Sequence, residues 1–87
     1  FKPGPQNILS AQMLANLCWE AGMSPEYFQL INPDIPVLSE LVASPEIQCI
    51  SFTGGVVAAR AITKNAGIKK LLFELGGNDP LILMPDG

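Results

Sequence analysis

The segment IQCISFTGGVVAARAITKNAGIKKLLFE, residues 47–74, decides the fold. Residues 47–52 alternate between apolar and polar side chains, which is typical of a β-strand. The residues from Val56 to Ala66 predict a helix that ends at Gly67, and residues 70–74 predict a second strand. A strand, a helix and a strand of these lengths predict two parallel strands joined by a helical crossover, the unit of an α/β fold.

Outside this segment the pattern of alternating elements continues. Apolar residues at helical spacing predict a helix over 9–21, and Gly22 provides its stop. The apolar positions of this helix are Leu9, Met13, Leu14, Leu17 and Cys18. We expect Met13, Leu14 and Trp19 to pack in the core rather than to line a cofactor site.

Three shorter elements complete the prediction. We expect a strand over 28–31, a helix over 36–43 that begins with Pro36, and a last strand over 81–84. Only Phe1 and Lys2 precede Pro3, so the first strand of the sheet is expected to be cut short. Both ends of the sequence therefore suggest a piece of a larger α/β domain.

Composition excludes several classes of function. The 87 residues are 48% hydrophobic and 15% charged, so we expect a folded chain. A net charge of −3 with five Lys and Arg residues argues against a nucleic-acid or anionic-membrane surface. No apolar run approaches the roughly 18 residues that span a bilayer, and no secretory signal is visible.

The ionisable residues limit the available chemistry further. Histidine is absent, which excludes a Ser-His or Cys-His catalytic pair and a His-ligated metal site within this sequence. We expect Cys18 and Cys49 to be reduced, buried and structural, as in a cytoplasmic protein, with a disulfide between them as the alternative. The basic residues Lys64, Lys69 and Lys70 are expected to be solvated near a helix end.

Three segments are predicted to follow strands at one edge of the sheet, where α/β proteins bind ligands. These segments are Lys2, the turn Thr53-Gly54-Gly55, and Glu74 with the glycines after Leu75. A carboxylate between apolar neighbours loses hydration and becomes a candidate general base. The alternative is a surface Glu that precedes a turn. The glycine pair is equally open to two interpretations, a phosphate-binding turn or a tight corner.

Four short motifs occur along the chain in this order: a Lys-Pro pair at Lys2, the "EAG" helix end at 20–22, the "FTGG" turn at 52–55 and "ELGG" at 74–77. Together they resemble the motifs of the NAD(P)-dependent aldehyde dehydrogenase superfamily. The resemblance covers nearly the whole chain. It implies that residues 1–87 belong to the NAD(P)-binding domain, as a partial Rossmann-like parallel sheet with flanking helices and without the catalytic and oligomerisation domains.

The resemblance also implies roles for individual residues. Lys2 would contact the adenosine ribose or its phosphate, and Phe52, Gly54 and Gly55 would form the turn at the pyrophosphate. Glu74 would activate the water that releases the acid, with low exposure of its carboxylate, and the backbone of Leu75 would lie near the nicotinamide. The cofactor would be NAD or NADP, the substrate a small aldehyde, and the parent protein a cytoplasmic homo-oligomer.

Two departures from the family pattern are informative. Pro5 occupies a position where the family often has an acidic residue that binds ribose hydroxyls, which leaves NADP open beside NAD. Gly55 occupies the position of a Ser, so a hydroxyl contact is lost.

The nucleophilic Cys of the family would lie beyond residue 87, so we expect no dehydrogenase activity from these residues alone. Two interpretations therefore remain: a segment of an aldehyde-oxidising enzyme, or a non-catalytic binding or structural module that keeps the fold.

Overall fold

The computed structural model describes residues 1–86, which form three helices and two strands. In chain order these are α1 (Ile8–Glu20), α2 (Ile35–Ala43), β1 (Cys49–Thr53), α3 (Val56–Asn65) and β2 (Lys70–Glu74). The chain divides into two compact units, Phe1–Leu38 and the residues from Ser39 onward. The predicted α/β class is confirmed.

The second unit is built on a parallel pair of strands. Each residue of β1 pairs with one of β2, from Cys49 opposite Lys70 to Thr53 opposite Glu74. Side chains alternate between the two faces of such a sheet, and one face here is half-buried. That face consists of Ile50, Phe52, Leu71 and Phe73. The predicted strand at 70–74 is confirmed without change, and β1 lies slightly later than the predicted 47–52.

Helix α3 connects the two strands, as the sequence predicts. Gly55 is its N-cap residue, with extended backbone angles of φ −77° and ψ 153°. The helix buries Ala59, and Ala66 just beyond it is also buried. Gly67 has a φ of 66°, in the left-handed region that glycine adopts without strain. The predicted glycine stop is therefore correct.

Helix α2 begins one residue before its predicted start. Asp34 precedes the helix, and its Oδ1 accepts a hydrogen bond of 3.2 Å from the N–H of Val37. Such a bond satisfies one of the first N–H groups of a helix, which have no partner within the helix. Pro36 lies in the first turn, where its missing N–H costs nothing.

Helix α1 forms close to its predicted bounds, but its buried face is not the predicted one. Ala11 and Ala15 are the buried residues of the helix. The large apolar side chains are exposed instead: Leu9 by 82%, Met13 by 67%, Leu14 by 49% and Leu17 by 60%. The helix carries apolar residues of its own on every side, so their spacing alone does not predict which face packs against the rest of the unit.

The predicted strand at 28–31 is not formed, although traces of strand pairing remain. The Phe1 amino group donates to the Gln29 carbonyl at 2.7 Å, and the Ile31 N–H donates to the Phe1 carbonyl at 3.0 Å. Two bonds that bracket one residue in this way are the pattern of a parallel ladder. Pro3 has no N–H and cannot extend that ladder.

A ring contact and a side-chain hydrogen bond also hold residues 28–31 in place, both through Phe28. The rings of Phe1 and Phe28 are stacked with their centroids 6.1 Å apart. Trp19 donates from Nε1 to the Phe28 carbonyl at 2.9 Å. The expected packing role of Trp19 is therefore correct, whereas that of Met13 and Leu14 is wrong.

The predicted strand at 81–84 is also wrong. This segment has no regular secondary structure, and its residues from Leu81 to Met84 are between 64% and 86% exposed. An apolar run becomes a strand when a neighbouring backbone supplies hydrogen bonds and a second layer covers its side chains. Within residues 1–86 this run has neither.

Candidate functional site

The carboxyl ends of β1 and β2 meet at one edge of the sheet. Thr53 and Glu74 are paired as the last residues of the two strands. The N–H of Gly54 donates a 3.0 Å hydrogen bond to the carbonyl of Glu74. This bond joins the glycine turn to the residue that carries the candidate carboxylate. Two of the sequence-predicted sites are therefore adjacent in the fold.

The same bond decides which N–H groups of the turn remain for a ligand. Gly54 already donates to Glu74, whereas the first backbone bond into α3 runs from Ala59 to the Gly55 carbonyl at 3.1 Å. The N–H groups at the beginning of a helix have no partner within it and carry its positive dipole end. Gly55 offers no side-chain cap to them. An anion at this turn would therefore meet the first N–H groups of α3 rather than that of Gly54.

Glu74 lies where the sequence predicts, at the end of β2, but its exposure is not as predicted. The side chain belongs to the solvent-exposed face of β2, on the opposite face from Leu71 and Phe73. Strand alternation explains this result, because the apolar neighbours in sequence point to the other side of the sheet. The expectation of a carboxylate with low exposure is therefore wrong for residues 1–86.

Phe52 contacts the turn from the half-buried face of the sheet. Its ring packs edge-on against Phe73, with the two centroids 6.1 Å apart and the ring planes at 85°. A Cβ atom placed on Gly54 would lie 2.5 Å from the Cζ of Phe52. The ring therefore occupies the space that a side chain at position 54 would need.

Lys2 belongs to the first unit, and its ammonium group has a local partner. The side chain is half-buried, and Nζ donates to the Pro3 carbonyl at 2.8 Å. The other predicted site residues, Phe52, Gly54, Gly55, Glu74 and Leu75, all belong to the second unit. Leu75 follows β2 directly and is 40% exposed.

The amino ends of the strands form a different kind of edge. Lys69, just before β2, donates from Nζ to the carbonyls of Val42 and Ser44 at 2.7 and 2.8 Å. These carbonyls lie at the C-terminus of α2, where a cation stabilises the helix. The expectation that Lys69 is simply solvated is therefore wrong. Lys64 and Lys70 are exposed, as expected.

A cleft of about 330 Å³ lies at the same amino-terminal edge. Ile47, Gln48, Ile68 and Lys69 contribute to its lining. It is therefore at the opposite end of the strands from Glu74 and the glycine turn. Cys49 also lies at this end, with an exposed free thiol, so the expected burial of this residue is wrong.

Comparison with known proteins identifies the family. The whole sequence, residues 1–87, matches the sequence profile of the aldehyde dehydrogenase family. The chain belongs to the aldehyde dehydrogenase family. Among curated proteins it is 59% identical over 87 residues to a sulfoacetaldehyde dehydrogenase of Neptuniibacter caesariensis. It is 38% identical over 86 residues to an aspartate-semialdehyde dehydrogenase of Pseudomonas canavaninivorans.

A third relative is an aldehyde-dehydrogenase-like protein of Sinorhizobium fredii, 39% identical over 86 residues. These alignments cover 99% or more of this chain but only 17% to 19% of each relative. The chain thus spans about a fifth of the length of these aldehyde dehydrogenases. The predicted superfamily is confirmed.

A metal-binding cluster and a membrane-spanning helix are both absent from the part of the chain that the structure describes. Within residues 1–86 no three Cys, Asp or Glu side chains are grouped so as to hold a metal ion. No helix in this range has the length and apolar character needed to cross a bilayer.

The sequence interpretation missed the contacts of two residues, one near the candidate site and one at the opposite end of the strands. Phe73 holds the ring of Phe52, and Lys69 ties the beginning of β2 to α2. The period-two pattern shared by β1 and β2 could have revealed the first, because it places both phenylalanines on one face. No sequence signal specifies the carbonyl partners of Lys69.

Proposed function

We propose that this chain is part of the NAD(P)-binding domain of an enzyme that oxidises an aldehyde to a carboxylic acid. The observation that carries the proposal is the hydrogen bond from the Gly54 N–H to the Glu74 carbonyl. It keeps a helix N-terminus suited to phosphate and a carboxylate suited to proton transfer at the same edge of the sheet. Membership of the aldehyde dehydrogenase family supports the reaction class.

The residues at the turn suit a dinucleotide. The N-terminal N–H groups of α3 would hold a phosphate, and no side chain at Gly55 obstructs the approach. Lys2 would bind the adenosine end through its ammonium group, in exchange for its bond to the Pro3 carbonyl. NAD or NADP, when bound, supplies the hydride acceptor of the oxidation.

Glu74 would act as the general base of the hydrolytic step. An exposed carboxylate can accept a proton from a water molecule that attacks the acyl carbon. The nucleophile that carries the acyl group would be a Cys outside residues 1–87. Cys49 does not suit this role, because it lies four residues from Thr53 along β1, roughly 13 Å at the rise of a strand.

The substrate we propose is a small aldehyde, with sulfoacetaldehyde as the first compound to test. The support for this choice is the name of the relative that is 59% identical over the whole chain. Aspartate semialdehyde is the second compound, from the name of the relative that is 38% identical.

The test uses the purified full-length protein that contains this chain. We expect reduction of NAD or NADP that depends on the aldehyde and yields the matching carboxylic acid. Lys2→Ala should raise the Michaelis constant for the cofactor several-fold with little change in kcat, because it removes binding that substrate and transition state share. Lys64→Ala, which removes an exposed lysine of α3, is the matched control and should leave both constants unchanged.

Two results would contradict the proposal. Binding of neither NAD nor NADP by the full-length protein would exclude the cofactor role. Cofactor binding without oxidation of either aldehyde or of a wider aldehyde panel would favour a non-catalytic binding module.

A further inference from the structure

Gly54 is constrained by a neighbouring ring rather than by its backbone conformation. Among the described residues, the glycines with positive φ are Gly22 and Gly67, so Gly54 has angles open to other residues. A Cβ atom at this position would nevertheless lie 2.5, 3.1 and 3.2 Å from the Cζ, Cε1 and Cε2 atoms of Phe52. Carbon atoms prefer separations of about 3.5–4.0 Å. The ring in its present position and a side chain at position 54 cannot both be accommodated, so the substitution would require the ring or the turn to shift.

The position of the ring follows from the sheet. Side chains two residues apart on a strand point to the same face, which brings Phe52 beneath Gly54. Phe73 lies directly opposite Phe52 on β2 and meets its ring edge-on. The ring is thus held between a neighbour on β2 and the turn that leads into α3.

We propose that Phe52 is a positioning residue that sets the path of the Gly54-Gly55 turn and thereby aims the first N–H groups of α3. The inference rests on the proposed function and gives Phe52 a role different from direct contact with the cofactor. Gly54 makes this position of the Phe52 ring possible, because it has no side chain. It lets the ring approach the backbone while its own N–H stays bonded to the Glu74 carbonyl. Phe52 and Gly54 should therefore act as one coupled unit in cofactor binding.

A double-mutant cycle in the full-length protein tests this coupling. Gly54→Ala should raise the dissociation constant for NAD or NADP by roughly tenfold or more, because the added methyl group displaces the ring and the turn. Phe52→Leu alone should raise it by a smaller factor. The double variant Phe52→Leu/Gly54→Ala should bind the cofactor within about threefold of Phe52→Leu, since the two sites are in contact and their effects are not additive.

The matched control is the double variant Phe73→Leu/Gly54→Ala. It also shortens an aromatic side chain of the sheet, but the three atoms nearest to a Cβ at position 54 all belong to Phe52. It should show less recovery than Phe52→Leu/Gly54→Ala, because the Phe52 ring that meets the added methyl group is still present. The melting temperature and kcat at saturating cofactor are measured for every variant. A purely structural role would change the melting temperature and leave the dissociation constant unaltered.

The outcomes separate the inference from the proposed function. If the wild-type protein binds neither NAD nor NADP, the proposed function fails and the inference fails with it. If the wild type binds but the effects of Phe52→Leu and Gly54→Ala simply multiply, the inference alone is overturned. If Gly54→Ala does not fold, greater restoration of folding and of cofactor binding by Phe52→Leu than by Phe73→Leu is the supporting result. Absence of that restoration overturns the inference.

Discussion

The two ends of the parallel strands use their polar groups in opposite ways. At the amino end, the charged side chain of Lys69 is bound to the carbonyls of Val42 and Ser44. At the carboxyl end, backbone atoms make the connection, through the Gly54 N–H and the Glu74 carbonyl. The side chain of Glu74 remains on the exposed face of β2.

This difference predicts that substitutions at the two ends have different effects. A side chain that stabilises a helix terminus cannot be changed without a loss of stability. A carboxylate whose residue is held through its backbone can be changed with little loss, so it is available for another role. We therefore expect substitutions at the carboxyl end to affect the reaction and substitutions at the amino end to affect stability.

The largest expected effect is that of Glu74→Gln in the full-length protein. Removal of a general base slows the assisted step by about 10²–10⁴-fold. Because hydrolysis follows hydride transfer in the proposed reaction, we expect a rapid burst of reduced cofactor and then slow turnover. The unfolding transition should stay close to that of the wild type, since the side chain is exposed.

Glu46→Gln is the matched control, as it makes the same change at another exposed carboxylate of the second unit. It should keep both the burst and the steady-state rate. Loss of the burst together with turnover in Glu74→Gln would place the carboxylate at an earlier step. Full turnover would support a surface Glu without a catalytic role.

Local patterns predict residues 47–74 of the second unit well. The alternation in β1 and β2 and the glycines at 55 and 67 specify a strand, a helix and a strand without help from distant residues. The same alternation, applied residue by residue, also predicts that Glu74 lies opposite Leu71 and Phe73. The predicted low exposure of Glu74 is wrong because adjacent residues of a strand point to opposite faces of the sheet.

Other parts of the fold could not be read from the sequence, because they depend on what packs against them. The apolar run at 81–84 has the composition of a strand, yet within residues 1–86 it stays exposed and unpaired. In α1 the small residues Ala11 and Ala15 are buried, while Leu9 and Met13 are exposed. Apolar composition shows that a segment can be buried. Which of its faces is buried depends on the element that packs against it.

The second effect concerns the amino end. Lys69→Met keeps most of the side-chain length but removes two hydrogen bonds from an ammonium group to helix carbonyls. Hydrogen bonds to charged groups contribute about 1.5–3 kcal/mol, so we expect a loss of that order in the free energy of unfolding of the full-length protein. Chemical denaturation measures this loss. The cofactor dissociation constant should remain unchanged.

Lys70→Met is the control for the change in charge, because it removes the neighbouring lysine, which is exposed at the start of β2. It should alter stability by less than about 0.5 kcal/mol, as surface substitutions usually do. Equal destabilisation by both variants would mean that charge, and not the bonds to Val42 and Ser44, accounts for the effect. A change in the cofactor dissociation constant in Lys69→Met would contradict the expectation that the amino ends of the strands affect stability alone.

The smallest expected effect separates the two adjacent glycines of the turn. Gly55 is the N-cap of α3 with extended backbone angles, and a Cβ atom there meets nothing within 4 Å. Serine at an N-cap accepts a hydrogen bond from an N–H of the first turn, so Gly55→Ser should stabilise the protein by a few tenths of a kcal/mol. Gly54→Ser adds the same side chain one residue earlier, where it collides with the Phe52 ring, and should destabilise. Thermal unfolding of the two variants in parallel gives the comparison. We expect the melting temperature to rise in Gly55→Ser and to fall in Gly54→Ser. A fall in both variants would show that neither position of the turn tolerates a side chain, and that the Phe52 ring does not explain the effect at position 54.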